Sequence, residues 1–177
     1  PLVKQSLTRL RDLQTPSNEF RALSSRISRF LVYEAMRDLN VRPVGVETPV
    51  GPGEGIVLSD YVILAPVLRA GLALSEAAQD LFPNVRIYHV GLKRDEVTLE
   101  AISYYAKLPE SLPPDCKVYV LDPMLATGGS MLATIEMLKK AGCTQIRALV
   151  LVAAPEGIRR LQEAHPDVTL YTASIDQ

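Results

Sequence analysis

The sequence predicts an α/β domain: a doubly wound, mainly parallel five-stranded sheet flanked by helices, with N-terminal helices, a β-arm and a flap added to it. Three observations predict this. From residue 60 onward, short apolar runs alternate with stretches of helical periodicity. The runs are apolar without a polar alternate, as strands buried on both faces require. One of them, "KVYVLD" at 117–122, breaks at a carboxylate into "PMLATGGS", where adjacent glycines open onto a helical segment.

The elements follow in order. Thr15-Pro16 is a helix start signal, with a hydroxyl at the cap and proline at the first helical position. Phe20, Leu23, Ile27, Phe30 and Leu31 then fall on one helical face. Residues 41–57 carry three prolines and four glycines, too many for a helix, and read as an irregular arm with extended pieces. "YVILAP" (61–66) is the first strand of the main sheet, followed by Gly71 and the helix-like "LALSEAAQDLF". "VRIYHVG" (85–91) is the next strand. Residues 93–115 interrupt the alternation, and a connection of that length reads as a flap at the ligand edge of the sheet. The strand at 117–122 precedes the glycine turn and a helix to Lys140, with Gly142 as its stop signal. "IRALVLVAA" (146–154), a helix opened by Pro155 and "VTLYTAS" (168–174) complete the pattern.

Composition narrows the function. With 177 residues, 47% hydrophobic and 22% charged, the chain fits one globular domain that needs neither disulfides nor metals to hold its core. The formal net charge of −1 gives no global field for nucleic acid or an anionic membrane. Eight basic residues against four acids in residues 1–42 read as a solvated face or subunit interface, since no stacking aromatics alternate with them. Cys116 and Cys143 match neither a disulfide framework nor zinc spacing and read as small apolar residues of a reducing compartment. No stretch has the length and apolarity of a membrane span, so a cytoplasmic location is expected. The P-loop and the dinucleotide G-x-G-x-x-G are missing, and Leu132 spoils a nucleophile elbow at Gly128-Gly129-Ser130. His89 and His165 have no evident acid partner. Any chemistry here works by positioning and electrostatics.

The junction at 122–130 can hold an anion. Main-chain N–H groups of Ala126, Thr127, Gly128, Gly129 and Ser130 can wrap an oxyanion at a helix N-terminus. Thr127 and Ser130 add hydroxyl donors, whereas Asp122 only accepts hydrogen bonds and suits sugar hydroxyls. An anion cradle beside a hydroxyl-reading acid indicates a phosphorylated sugar. Arg69, in a turn containing Ala70 and Gly71, and Arg94, at the base of the flap, are further candidate anion ligands at the same sheet edge.

Four stretches, "APVLRAGLAL", "GLKRDEVTLEAISYYAKLP", "DPMLATGGSMLATIEMLKKAG" and "VLVAAPEGIRRLQEAHPDVTLYTASID", closely resemble uracil phosphoribosyltransferases, and the likeness runs from Pro1 to the last residue. The resemblance implies the type I phosphoribosyltransferase fold and the conversion of uracil and 5-phosphoribosyl 1-diphosphate (PRPP) to UMP and diphosphate. It implies that Asp122 binds the ribose hydroxyls and that Ala126 to Ser130 cradle the 5′-phosphate. Pro123, Met124 and Leu125 complete that PRPP-binding string. Arg69, Ala70 and Gly71 resemble the diphosphate loop, Arg94 would reach the diphosphate from the flap, and Arg69, Arg94 and Asp122 are the catalytic candidates. The resemblance implies Mg2+ bound mainly through the diphosphate and ribose oxygens, and Pro123, standing where many relatives carry a second acid, weakens direct ligation of the metal by carboxylates.

The resemblance places base recognition in a segment after "YTASIDQ". Residues 1–177 are thus expected to form a single phosphoribosyltransferase domain carrying the PRPP half of the site, with the uracil-binding residues unknown. A homodimer or higher homo-oligomer and a GTP effector are also implied. Without base recognition the same fold would serve as a non-catalytic PRPP or nucleotide-binding regulator, and another base would make it a different phosphoribosyltransferase.

Overall fold

A computed structural model describes residues 1–94 and 101–176. Two helices come first, α1 (Leu2–Leu10) and α2 (Ser17–Ala35). The predicted face of α2 is only partly the buried one: Leu23, Ile27 and Leu31 are buried, but Phe20 and Phe30 are 44% and 43% exposed. The helix starts two residues after Thr15, whose hydroxyl donates to the Arg9 carbonyl at the end of α1 and so caps nothing in α2.

The arm is more regular than its glycines and prolines predict. Strands β1 (Val41–Thr48) and β2 (Gly51–Leu58) form an antiparallel hairpin paired from Val41↔Leu58 to Thr48↔Gly51. A two-stranded ribbon has two free edges, so prolines without an N–H are tolerated there as they are not in a central strand. Its base is tied to the main sheet by Asp60, which accepts from the Asn40 side chain at 2.9 Å and from Lys117 Nζ at 2.7 Å.

All five predicted strands of the main sheet are present, and the sheet holds eight in all. They are β3 (Val62–Leu68), β4 (Arg86–Ile87), β5 (Val90–Arg94), β6 (Ala101–Ala106), β7 (Lys117–Leu121), β8 (Met124–Leu125), β9 (Gln145–Ala153) and β10 (Thr169–Ile175). The run predicted as one strand at 85–91 is split, with β4 on the first half of β3 and β5 on the second. The spatial order is β10-β9-β7-β3-β5-β6, parallel except for the β5–β6 pair. That pair forms the two sides of the predicted flap; flap residues 95–100 lie outside the described residues.

Helices α3 (Leu72–Leu81), α4 (Gly129–Lys140) and α5 (Pro155–Ala164) cover the sheet. Strand alternation sorts the core between the two faces. Val118, Val120, Ala148 and Val150 pack with Met131, Ile135 and Leu138 of α4 and Leu161 of α5. Val62, Leu64, Tyr119, Leu121 and Leu149 pack with Ile27 and Val32 of α2 and Leu74 and Ala78 of α3. Helix α4 ends as Gly142 predicts. With φ at +91°, its N–H bonds Lys139 O at 3.0 Å and the Cys143 N–H bonds Leu138 O at 3.1 Å. Cys116 and Cys143 are buried free thiols with their sulfurs 3.8 Å apart.

Candidate functional site

From β3 the chain moves to β5 on one side and then crosses to β7, β9 and β10 on the other. The order reverses between β3 and β7, and ligands of such sheets bind beyond the strand carboxyl ends at that point. The turns after β3 and β7 carry the two sequence-predicted anion segments. The first abuts the end of β7: an added Cβ on Gly71 would stand 2.3 Å from Leu121 O and 2.8 Å from Val67 N and O. Only glycine lets the β3 turn lie this close to the end of β7. The turn is closed by Gly71 N–H to Val67 O at 2.8 Å and Leu72 N–H to Arg69 O at 3.2 Å, and the Leu68–Arg69 peptide is cis. Arg69 and Ala70 are exposed at its apex.

After β7 the strand is broken without losing register. Leu121 pairs with Leu149 and Met124 with Val152, the same offset on either side of Asp122–Pro123. Proline offers no N–H to the ladder, while its carbonyl accepts from Leu151 N and Val152 N at 3.0 and 3.1 Å. Asp122 shares the sheet face of Val118 and Val120, which is the α4 side. Burial pushes its carboxyl up to about 6, against a hydrogen bond from the Met124 main chain that pulls it down. An acid with a raised pKa in a cleft is a functional-site candidate.

Residues 124–131 turn back over this carboxyl to start α4. Gly128 precedes the helix with φ at +83°, a left-handed conformation that other residues rarely adopt. Asp122 and Met124 to Met131 line a pocket of about 110 Å³. It therefore gathers Asp122, Met124, Leu125, Ala126, Thr127, Gly128, Gly129 and Ser130 of the predicted string, with Pro123 in the bend beneath. Met124 is 58% exposed and Leu125 is core, so within the string these two contribute main chain and packing rather than polar side chains. Arg94 ends β5 at the same edge of the sheet, but its side chain lies outside what the structure describes. His165 is at the other end, after α5, buried with Nδ1 3.3 Å from Lys139 Nζ.

The structure adds residues that the sequence reading missed. Helix α5 lies directly behind the turn: a Cβ on Gly157 would meet Ala126 O at 2.5 Å and Leu125 Cγ at 2.8 Å. Ala154 N–H donates to Leu125 O at 2.8 Å, and Arg160 Nη1 donates to Thr127 O. A glycine in the first turn of a helix, where it weakens the helix, is the signal that marks this contact in the sequence.

The whole chain, residues 1–177, matches the family model described as uracil phosphoribosyltransferase. It is 46% identical over 178 residues to the uracil phosphoribosyltransferase of Dictyoglomus turgidum, covering 100% of this chain and 86% of that protein. With the enzyme of that name from a Caulobacter species it shares 46% over 177 residues, 99% of this chain and 84% of the other. The solved structure of the AQ2163 protein from Aquifex aeolicus superposes with a TM-score of 0.90 at 33% identity, covering 99% of this chain and 84% of that one. A purine phosphoribosyltransferase from Pyrococcus horikoshii, with a TM-score of 0.59 at 16% identity over 87% of this chain and 83% of its own, shares the fold. The chain belongs to the uracil phosphoribosyltransferase family and has the type I phosphoribosyltransferase fold.

Proposed function

We propose that this chain transfers the phosphoribosyl group of PRPP to uracil, giving UMP and diphosphate, and that residues 1–177 form one domain carrying the PRPP-binding half of the site. The observation that carries this reading is the pocket at the sheet switch point, where one half-buried carboxylate faces a turn of main-chain amides at a helix N-terminus. The 5′-phosphate sits against Ala126 to Ser130. Asp122 accepts from the ribose hydroxyls, which fixes the sugar and aims C1. The Arg69–Gly71 turn, abutting the end of β7, receives the diphosphate, and Arg94 reaches it from the hairpin. As the bond at C1 breaks, positive charge grows on the sugar ring and negative charge on the leaving diphosphate. Fixed cations beside that diphosphate lower the barrier without reorganising.

Magnesium fits this site as a companion of the substrate. Among the described residues no group of three or more His, Cys, Asp or Glu could cage a metal. Asp122 is the one carboxylate lining the pocket and is flanked by Pro123. When bound, magnesium neutralises the diphosphate; Asp122 would hold it through ribose oxygens or its water shell.

The same reading makes the protein a cytoplasmic homodimer with GTP as an effector. No described helix is long and apolar enough to cross a membrane. Val46, Val50 and Ile56 of the arm are 40%, 98% and 71% exposed, and a lone hairpin is marginally stable in water, so a second copy is the natural cover. The protein purified together with the base-reading segment expected after residue 177 should, with PRPP, magnesium and one of several bases, form UMP from uracil alone, at a rate that GTP changes, and should elute at twice its monomer mass. PRPP binding with no nucleotide formed from any base would instead make it a regulator, and turnover of another base would reassign its substrate.

A further inference from the structure

We propose that Arg160, backed by Gly157, is a positioning residue: α5 holds the Thr127–Gly128 peptide from outside, so that its N–H faces the bound phosphate. This rests on the reading of residues 126–130 as the 5′-phosphate cradle. In a trans peptide the C=O and N–H point in opposite directions. Three peptides of the turn have their carbonyls engaged by the framework: Leu125 O by Ala154 N at 2.8 Å, Thr127 O by Arg160 Nη1, and Gly128 O by Leu132 N at 2.9 Å. The N–H groups of Ala126, Gly128 and Gly129 are thereby set on the opposite sides of their peptides. The first and third anchors are main-chain bonds that come with β8–β9 pairing and with α4 itself. The second is made by a side chain of another helix, and it acts on the peptide that leads into Gly128, the residue of the turn freest to rotate.

Gly157 makes the reach feasible. It lies three residues before Arg160, on the same side of α5, and its missing Cβ lets the helix pack against Ala126 O and Leu125. Arg160 is not among the residues that line the pocket. Its charge-assisted bond to a carbonyl is stronger than a neutral one.

The test is calorimetry of the full chain with ribose 5-phosphate and, separately, with magnesium diphosphate, alongside steady-state kinetics. Arg160→Ala should weaken ribose 5-phosphate and raise the KM for PRPP by about tenfold, the loss of one charge-assisted bond. Its diphosphate affinity, kcat and Tm should stay near wild type, because the group lost is exposed and, among the described residues, is bonded only to the turn read as the 5′-phosphate cradle. Arg160→Lys, which can still donate, should recover most of the affinity. Gly157→Ala should weaken ribose 5-phosphate at least as much; if it fails to fold, the Arg160 pair decides alone. Equal ribose 5-phosphate affinity in wild type and Arg160→Ala overturns the inference, as does a matched loss of both ligands, which would mark a general charge effect. A wild type that binds no ribose 5-phosphate sinks the cradle reading itself, and this inference with it.

Discussion

Replacing Asp122 by Asn should make the free protein more stable at neutral pH while weakening its hold on PRPP. Burial lifts the carboxyl from 3.8 to about 6, and the Met124 main-chain bond offsets only part of that lift. A folded-state pKa above the unfolded one means that the protonated acid favours the fold. That contribution is complete below about pH 3.8 and is lost as pH rises through about 6. The shift of about two units corresponds to roughly 3 kcal/mol, or about 6–12 °C in Tm for a chain of this length. Asn is neutral at every pH and keeps an acceptor for the Met124 N–H. The Tm gap between Asp122→Asn and wild type should therefore be near zero at pH 4, open between pH 4 and 6, and level off above 7. Thermal denaturation across that range measures it. Ribose 5-phosphate affinity should move the other way: the variant should bind about 10- to 100-fold more weakly at pH 8, having lost hydrogen bonds to a charged acceptor, and little differently at pH 5. The phosphate of the ligand also titrates near pH 6, but it does so for both proteins, and the ratio of their affinities at each pH removes it. A Tm gap independent of pH, or an Asn variant less stable than wild type at pH 8, would refute the reasoning.

Other substitutions separate chemistry from architecture. Arg69→Ala should cost two or more decades in kcat/KM, on the order of 3 kcal/mol as for other preorganised charge stabilisers, and unchanged kinetics would remove Arg69 from the mechanism. Gly71→Ala forces a Cβ against main-chain atoms at 2.3 and 2.8 Å, and should lower the urea midpoint by the equivalent of about 3 kcal/mol. An unshifted midpoint would show that the β3 turn is not pressed against the end of β7. Lys117→Ala leaves the Asp60 carboxylate with Asn40 alone in a buried setting and should cost about 3 kcal/mol by the same measurement. Gly129→Val should fold normally, since a Cβ there meets no atom within 4 Å, yet lose ribose 5-phosphate in calorimetry, since that open space belongs to the pocket. Retained affinity would put the cradle elsewhere.

Much of the fold was legible because its signals are local. The apolar runs at 61–66, 117–122 and 146–154 carry their burial in their composition, and Pro155 and Gly142 mark helix ends where the structure has them. What escaped depends on partners distant in sequence. Thr15 reads as a cap, but its hydroxyl is taken by the preceding helix. Phe20 and Phe30 share a helical period with buried neighbours yet lie at the margin of the face, where they stay partly exposed. The arm reads as irregular because proline and glycine count against strands, and nothing in a single strand says that its edges will be free. In the site the same division holds. The string 122–130 announces itself as strand, glycines and helix, whereas Gly157 and Arg160 gain their meaning only when α5 is laid against it.

That division bears on how the two turns proposed as anion sites are held relative to each other. The turn proposed for the 5′-phosphate is fastened outward, to the end of β9 through Leu125 O and to α5 through Thr127 O. The turn proposed for the diphosphate is fastened inward, by the closeness of Gly71 to the end of β7. Both turns spring from neighbouring parallel strands, β3 and β7, whose axes lie about 4.8 Å apart, and Asp122 stands at the end of the second of them. The interval between the two anchors is thus set by a hydrogen-bonded strand pair, the stiffest spacing the fold provides. On the proposed function, a ligand with one anionic group at each end of a pentose meets that spacing already made. Free phosphate, with a single such group, can use only one anchor at a time. The prediction is that ribose 5-phosphate and diphosphate, bound separately, should each leave the other's affinity nearly unchanged, and strong mutual exclusion in calorimetry would mean that the two turns serve one anion site and not two.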